Sequence, residues 1–171
     1  MKTLLKRAGW IFLALLFAGT GLGVGVVAFW QATHQEKDTV NTSNTPLTPK
    51  LKGTQLANFT PVDRVDSLQK VDLQPGSGTE AKTDSTVTLQ YTGAVAATGT
   101  IFESSLHTGQ PVTFGLDQVI KGWTEGVPGM KVNGQRRLLI PASMAYGANS
   151  PSPDIPANAD LVFDIVLLDA K

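Results

Sequence analysis

The stretch "VIKGWTEGV", residues 119–127, places the largest apolar side chain of the second half of the sequence, Trp123, among glycines. Gly122 and Gly126 each weaken a helix by about 1 kcal/mol relative to alanine, so Trp123 lies in a segment of low helix stability. Two interpretations follow from the residues alone. The ring either fills an ordinary core or forms the floor of a pocket that binds something flat and apolar.

Chemistry that needs a nucleophile or a metal finds little support in the sequence. There are no cysteines, which excludes disulfides, thiol catalysis and cysteine–zinc sites. His34 and His107 are the only histidines, so metal sites and histidine-based triads are not expected. Ser104 and Ser105 have no suitable histidine nearby and are expected to be turn and cap residues. We therefore predict no metal and no cofactor.

Charge is unevenly distributed although the formal net charge is zero. Lys2, Lys6 and Arg7 lie at the N-terminus without an acidic neighbour, whereas residues 62–171 hold 12 acidic and 8 basic residues, a net charge of −4. A slightly acidic domain is poorly suited to bind a phosphate backbone. We therefore expect no nucleic-acid partner.

Residues 8–33 are uncharged over 26 positions, and a membrane-spanning helix needs about 20 apolar residues. Trp10 and Trp30 would lie ~30 Å apart along a helix, near the two headgroup layers where indole rings are favoured. The basic residues before this segment predict a cytoplasmic N-terminus and an extracytoplasmic remainder. We expect residues 1–33 to comprise a cytoplasmic N-terminus and a signal-anchor transmembrane helix. The alternative is a cleaved signal peptide, although Phe29 and Trp30 are bulky for a cleavage site.

The same segment contains the small-xxx-small pairs Gly19/Gly23 and Gly21/Gly25. Such pairs let membrane helices approach closely, and they are the basis for expecting a weak homodimer through this helix. The alternative is that these glycines only reflect their general frequency in membrane helices.

Residues 34–64 are predicted to form a flexible linker. Residues 31–60 contain seven threonines, two prolines and three asparagines, and their apolar residues follow no period. This composition is typical of an extended, mobile tether.

From residue 65 onward the pattern is that of strands and turns. Val87, Leu89 and Tyr91 alternate with polar residues, which predicts a half-buried strand over residues 85–95. Further strands are predicted at residues 100–105, 111–115, 136–142 and 160–169, and a short helix near 117–127. Arg136 and Arg137 are expected on a solvated strand face. Strands that outnumber one short helix predict an α+β fold, an antiparallel sheet that covers the helix.

Four motifs occur in order: "LQYTGAV", "GTIFESS", "VIKGWTEGVPGMKVNGQRRLLIPASMAYG" and "IPANADLVFDIVLLDA". Together they resemble the FKBP-type peptidyl-prolyl cis-trans isomerases over about residues 70–171. The resemblance implies a domain at residues 65–171 with an antiparallel sheet of about five strands wrapped around one short helix. It also implies a shallow apolar pocket between sheet and helix.

The resemblance assigns site residues by position. The catalytic residues would be Tyr91, Phe102, Glu103, Ile120, Tyr146 and Phe163. The substrate-binding residues would be Val112, Val119, Trp123 and Ile155, with Trp123 as the pocket floor. In this assignment the Ile120 N–H and the Tyr146 hydroxyl bind substrate carbonyls. The expected partners are proline-containing polypeptides.

Two positions depart from the family pattern. Glu103 stands where the family usually has aspartate, and Val112 where an aromatic residue is common. The expected function is isomerisation of Xaa-Pro bonds in extracytoplasmic proteins to assist their folding. Because of the departures, a weakly catalytic membrane-tethered chaperone or proline-peptide binding module is the alternative. A third alternative is a structural spacer, which the intact GW and AYG motifs disfavour.

Overall fold

A computed structural model describes residues 51–171 of the chain. The expected transmembrane helix and linker residues 34–50 lie outside the described residues. Within residues 51–171, every helix is too short or too polar to cross a bilayer.

The described residues form one antiparallel sheet and one short α-helix. The elements are β1 (Gln69–Gln74), β2 (Thr86–Val95), β3 (Ile101–Ser104), β4 (Val112–Gly115), α1 (Lys121–Gly126), β5 (Gln135–Ile140) and β6 (Leu161–Ala170), with 3₁₀ turns at Ser105–His107 and Ala142–Met144. The sheet order is β1-β5-β6-β2-β3, and β4 also pairs with β2. Since β3 and β4 pair with opposite ends of β2, they share one edge of the sheet, which has six strands where about five were expected.

Alternation along the two ten-residue strands decides which face is buried. On β2, Val87, Leu89 and Tyr91 belong to the main core, as predicted from the alternating sequence. On β6, Phe163 and Ile165 point to the same core. This inner face of the sheet packs against α1, so the expected α+β arrangement of sheet and short helix is confirmed.

Helix α1 has only six residues and no side-chain cap at its N-terminus. An isolated helix of this length is unstable in water, so packing on the sheet must hold it in place. A Cβ at Gly126 would lie 2.6 Å from Cδ1 of Leu138, and one at Gly122 would overlap the side chain of Ile140. The two glycines therefore let the helix lie directly on β5, which explains why glycine surrounds Trp123.

Residues 51–65, here called the N-terminal arm, pack on the outer face of the sheet. The Leu56 N–H donates to the Gly99 carbonyl at 2.8 Å, and the Val62 N–H donates to Ala96 at 3.0 Å. The arm contributes to a second apolar cluster that contains Leu51, Leu56, Phe59, Val62, Val65, Ala94, Ala96, Ile101, Leu139 and Val162. This differs from the predicted linker over residues 34–64, because residues 51–64 are bonded to the domain that was expected to begin at residue 65.

Arg137 holds the arm against the sheet. Its guanidinium donates to both oxygens of Asp164, at 2.6 and 2.7 Å, and to the Asn58 carbonyl at 2.6 Å. It also lies 5.3 Å from the ring centroid of Phe59. Asp164 is the cross-strand partner of Arg137 on β6, so the strand register supplies the counter-charge.

Arg136 is buried in the same way on the opposite face. It donates to both oxygens of Asp72, its cross-strand partner on β1, and to the Gly126 carbonyl at the end of α1. The expectation that Arg136 and Arg137 lie on a solvated face is therefore wrong, since both are less than a tenth exposed.

Candidate active site

An aromatic cluster fills the space between α1 and the inner face of the sheet. The Trp123 ring meets Phe163 at a centroid distance of 5.2 Å and Tyr91 at 5.4 Å, both nearly edge to face. Phe102 packs edge to face on Phe163 at 5.8 Å, and Phe114 lies 5.4 Å from Trp123. Edge-to-face contacts are favourable because the positive edge of one ring meets the negative face of the next. The cluster is thus a packed apolar unit contributed by four strands and the helix.

Gly93 on β2 gives two of these rings their positions. A Cβ there would lie 2.6 Å from Cε1 of Phe163 and 2.7 Å from Cζ of Phe102. Both rings therefore rest on the bare backbone of Gly93. Gly93 is not among the predicted site residues, although a glycine inside a strand is itself a signal that another group approaches the backbone closely.

The backbone of Tyr91 is fixed by two serines. The Tyr91 N–H donates to Ser105 Oγ at 2.9 Å, and Ser104 Oγ donates to the Tyr91 carbonyl at 3.1 Å. Ser104 also caps the following 3₁₀ turn by accepting from the Leu106 N–H, which confirms its expected capping role. The two serines thus hold the backbone of this aromatic residue in place.

Glu103, Tyr91 and Tyr146 form the polar rim of the cluster. Burial raises the pKa of the Glu103 carboxyl, and a hydrogen bond from Tyr91 and the positive charge of Lys52 partly offset that rise. Burial also raises the pKa of both tyrosines, and the negative charge of Glu103 raises it further. Both hydroxyls therefore stay protonated at neutral pH.

The structure brings all ten predicted site residues to this one place. Tyr91, Phe102, Trp123, Ile155 and Phe163 are buried in the main core, Val112, Val119, Ile120 and Tyr146 pack against it half-buried, and Glu103 lies beside the tyrosines. Phe114, which the sequence analysis treated as ordinary core, also contacts the indole.

Two polar groups at the rim are available to a ligand. Ile120 is the N-cap of α1, and its carbonyl accepts from the Trp123 N–H at 2.8 Å. Among residues 51–171, the Ile120 N–H and the Tyr146 hydroxyl make no hydrogen bond. They are the two groups that the resemblance assigns to substrate carbonyls.

The Trp123 indole is more covered than an open pocket floor would be. It is 4% exposed, and its Nε1 is buried without a partner in the described part of the chain. Two surface cavities lie elsewhere, and none of the ten residues lines them. One, of about 390 Å³, is lined by residues such as Glu80 and Lys82. The other, of about 210 Å³, is lined by residues such as Asp72 and Met130. The indole is therefore covered by neighbouring side chains, among them the Tyr91 and Phe163 rings.

The raised pKa of Glu103 leads to a stability prediction. Ionising this buried carboxyl costs folding free energy as the pH rises from its ordinary pKa, about 4.3, through its raised value. We expect Glu103→Gln to unfold at a higher urea concentration than the wild type near neutral pH, and the difference to close in acid. The other carboxyls titrate in both proteins, so their contributions to stability cancel in the comparison. An equal difference between the urea midpoints at acid and neutral pH would contradict this assignment.

Comparisons with known proteins agree with the fold. Residues 77–168 match the sequence model of the FKBP-type peptidyl-prolyl cis-trans isomerases. An FK506-binding protein of Neisseria meningitidis is 48% identical over 99 residues, which cover 57% of this chain and 90% of that protein. The peptidyl-prolyl cis-trans isomerase FPR2 of Saccharomyces cerevisiae is 48% identical over 87 residues, covering 50% of this chain and 64% of that protein. The crystal structure of FkpA from Escherichia coli aligns with a TM-score of 0.56 at 41% identity, covering 61% of this chain and 48% of that one.

The matched segment contains the short helix α1 and all five aromatic residues of the cluster between helix and sheet, so the match covers both the fold and the candidate site. The chain belongs to the FKBP-type peptidyl-prolyl cis-trans isomerase family. Its activity is accordingly the cis–trans isomerisation of peptidyl-prolyl bonds.

Proposed function

We propose that this isomerase acts on Xaa-Pro bonds of extracytoplasmic polypeptides to assist their folding, and that the cluster around Trp123 is its active site. The observation that carries the proposal is the convergence of the aromatic rings with two unpaired polar groups, the Ile120 N–H and the Tyr146 hydroxyl.

The reaction needs only a change of environment around one amide. Rotation about an Xaa-Pro bond faces a barrier of about 18–20 kcal/mol, because it breaks the conjugation of the C–N bond. The planar amide is more polar than the twisted one, so water stabilises the planar form more. An apolar, aromatic site removes that advantage and favours the twisted transition state, and each 1.36 kcal/mol of such preference is about tenfold in rate.

Each side chain of the proposed site has a distinct role in this catalysis. Trp123, Phe102 and Phe163 supply the apolar surface that receives the proline ring. Val112, Val119 and Ile155 extend that surface at its margin. The Ile120 N–H and the Tyr146 hydroxyl hold substrate carbonyls and fix the orientation of the amide, while Tyr91 and Glu103 form the polar edge.

Tyr146→Phe tests the proposed carbonyl contact. Removing one hydrogen-bond donor, worth about 0.5–1.5 kcal/mol, should lower kcat/KM by about two- to tenfold without changing stability. The measurement is a protease-coupled isomerisation assay on a tetrapeptide with an Xaa-Pro bond. Ser77→Ala, which removes an exposed hydroxyl that is not part of the cluster, is the control and should be fully active. A Tyr146→Phe enzyme as active as this control would remove Tyr146 from the site.

The cellular site of action is proposed from the N-terminal sequence. Residues 8–33 are uncharged and follow Lys2, Lys6 and Arg7, a pattern typical of a signal anchor with its C-terminal domain outside the cytoplasm. Carbonate-resistant membrane association of the full chain, together with digestion of its domain by protease added outside the membrane, is the expected result. Protection of the domain from that protease would place it on the cytoplasmic side.

A weakly catalytic binding module is the second candidate, favoured by one observation. The indole is 4% exposed, so binding must be preceded by movement of the surrounding side chains, which would slow turnover. In this case, the wild type and the Tyr146→Phe variant would suppress aggregation of an unfolding protein equally well. The kcat/KM of the wild type for isomerisation would also be low. The weak homodimer proposed for the membrane helix through Gly19/Gly23 and Gly21/Gly25 would add valency to such binding.

A further inference from the structure

We propose that Lys52 of the N-terminal arm is a specificity-determining residue of the isomerase: together with Asp154 and Glu103 it sets the charge at the rim of the active site. Through that charge it decides which side chain is preferred next to the substrate proline. The proposal rests on the aromatic cluster being the active site. Lys52 lies outside the segment that matches the family, residues 77–168.

The arm reaches the rim by pairing with the beginning of β3. Gln55 and Thr100 form an antiparallel bridge, and the Ile101 N–H donates to the Thr54 carbonyl at 2.8 Å. The Gly53 N–H donates to the Ile101 carbonyl at 2.7 Å. Since β3 continues from Ile101 to Glu103 while the arm runs in the opposite direction, Lys52 comes close to the Glu103 carboxylate and acts on it electrostatically.

Lys52 also bonds the loop on the other side of the rim. Its Nζ lies 2.6 Å from Oδ2 of Asp154, the residue just before the buried Ile155 of the site. That carboxylate is held in place within its own loop, because Ser152 Oγ donates to Asp154 Oδ2 at 3.0 Å. Ser150 Oγ in turn donates to the Ile155 carbonyl. One ammonium group therefore pairs with the Asp154 carboxylate and acts electrostatically on the Glu103 carboxylate at the margin of the aromatic cluster.

The charges of Glu103, Asp154 and Lys52 predict which substrate side chain is preferred before proline, and changing them should reverse this preference. Glu103, Asp154 and Lys52 together carry a net charge of −1. Lys52→Met changes it to −2, and Asp154→Asn changes it to zero. The double variant returns it to −1. The Lys52 and Asp154 side chains are 55% and 41% exposed, and exposed ion pairs contribute little to folding, so all three variants should fold normally.

The test measures kcat/KM of the full chain for two tetrapeptides that carry lysine or glutamate immediately before proline. We expect Lys52→Met to raise the lysine-to-glutamate ratio of kcat/KM by about two- to fivefold at low salt, the range for a partly exposed charge. Asp154→Asn should lower the ratio by a similar factor. The double variant should return near the wild-type ratio, Lys52→Arg should retain it, and about 1 M salt should reduce all the differences.

Lys171→Met is the matched control, because Lys171 also forms an exposed pair with an aspartate, Asp169, at 3.1 Å. It changes the net charge equally but should leave the ratio unchanged. The proposal is overturned if Lys171→Met and Lys52→Met shift the ratio alike, which would be an effect of net charge alone. It is also overturned if Lys52→Met lowers kcat/KM equally for both peptides, which would be a purely structural effect. Inactivity of the wild type on both peptides would instead refute the proposed active site.

Discussion

Gly93→Ala is expected to lower kcat/KM by about 50-fold or more, because displacement of site groups by about 1 Å can cost about a hundredfold in rate. The new methyl group would lie 2.6 Å from Phe163 and 2.7 Å from Phe102, so both rings must leave their positions. Overpacking of a core typically costs about 1–3 kcal/mol in stability, so the variant should be less stable but still folded. The assay at a temperature well below the unfolding transition separates the two effects.

Gly109→Ala is the control for this experiment. No atom lies within 4 Å of a Cβ added at Gly109, and the backbone there has a φ of +67°. The substitution should therefore cost about 1 kcal/mol through backbone strain and leave the activity nearly unchanged. If Gly93→Ala keeps activity comparable to Gly109→Ala, the positions of the Phe102 and Phe163 rings do not determine the rate.

Arg137→Met should lower the free energy of unfolding by about 3–5 kcal/mol, the usual cost of removing one partner of a buried ion pair. The loss leaves Asp164, which is 17% exposed, without its counter-charge, and it frees the arm carbonyl of Asn58. Urea denaturation followed by tryptophan fluorescence measures the change. Limited proteolysis should also begin to cut within the arm.

Arg64→Met is the matched control, because Arg64 also pairs with an aspartate, Asp66, but both side chains are more than four-fifths exposed. Its free energy of unfolding should change by less than about 1 kcal/mol. Arg137→Lys keeps the charge but loses the two-pronged contact, so it should fall between the two. An Arg137→Met protein as stable as Arg64→Met would mean that the arm does not contribute to the folding of the domain.

The covered indole changes how the site should be understood. A water-excluding cluster already exists before substrate binds, since Trp123 and Phe163 are 4% and 3% exposed. The apolar environment that the proposed mechanism requires is therefore present in the protein without substrate. Val119 and Tyr146 pack half-buried against this cluster.

Much of the domain could be predicted from the sequence because the relevant signal is local. The alternation of Val87, Leu89 and Tyr91 reports which face of β2 is buried, and the same period on residues 160–169 predicts β6. The order of the four motifs predicted the family, and through it all ten residues that the structure brings together. These features depend on neighbours one to four positions apart or on a pattern shared with relatives.

The tertiary structure decided the rest, since it depends on which distant residues meet. The arm has no strand or helix period, so nothing local indicated that it packs on the outer face of the sheet. The burial of Arg137 became clear only when the strand register placed Asp164 opposite it. Gly93 and Lys52 likewise gain their roles from side chains that are distant in the sequence. Such contacts cannot be predicted from the spacing of residues along the chain.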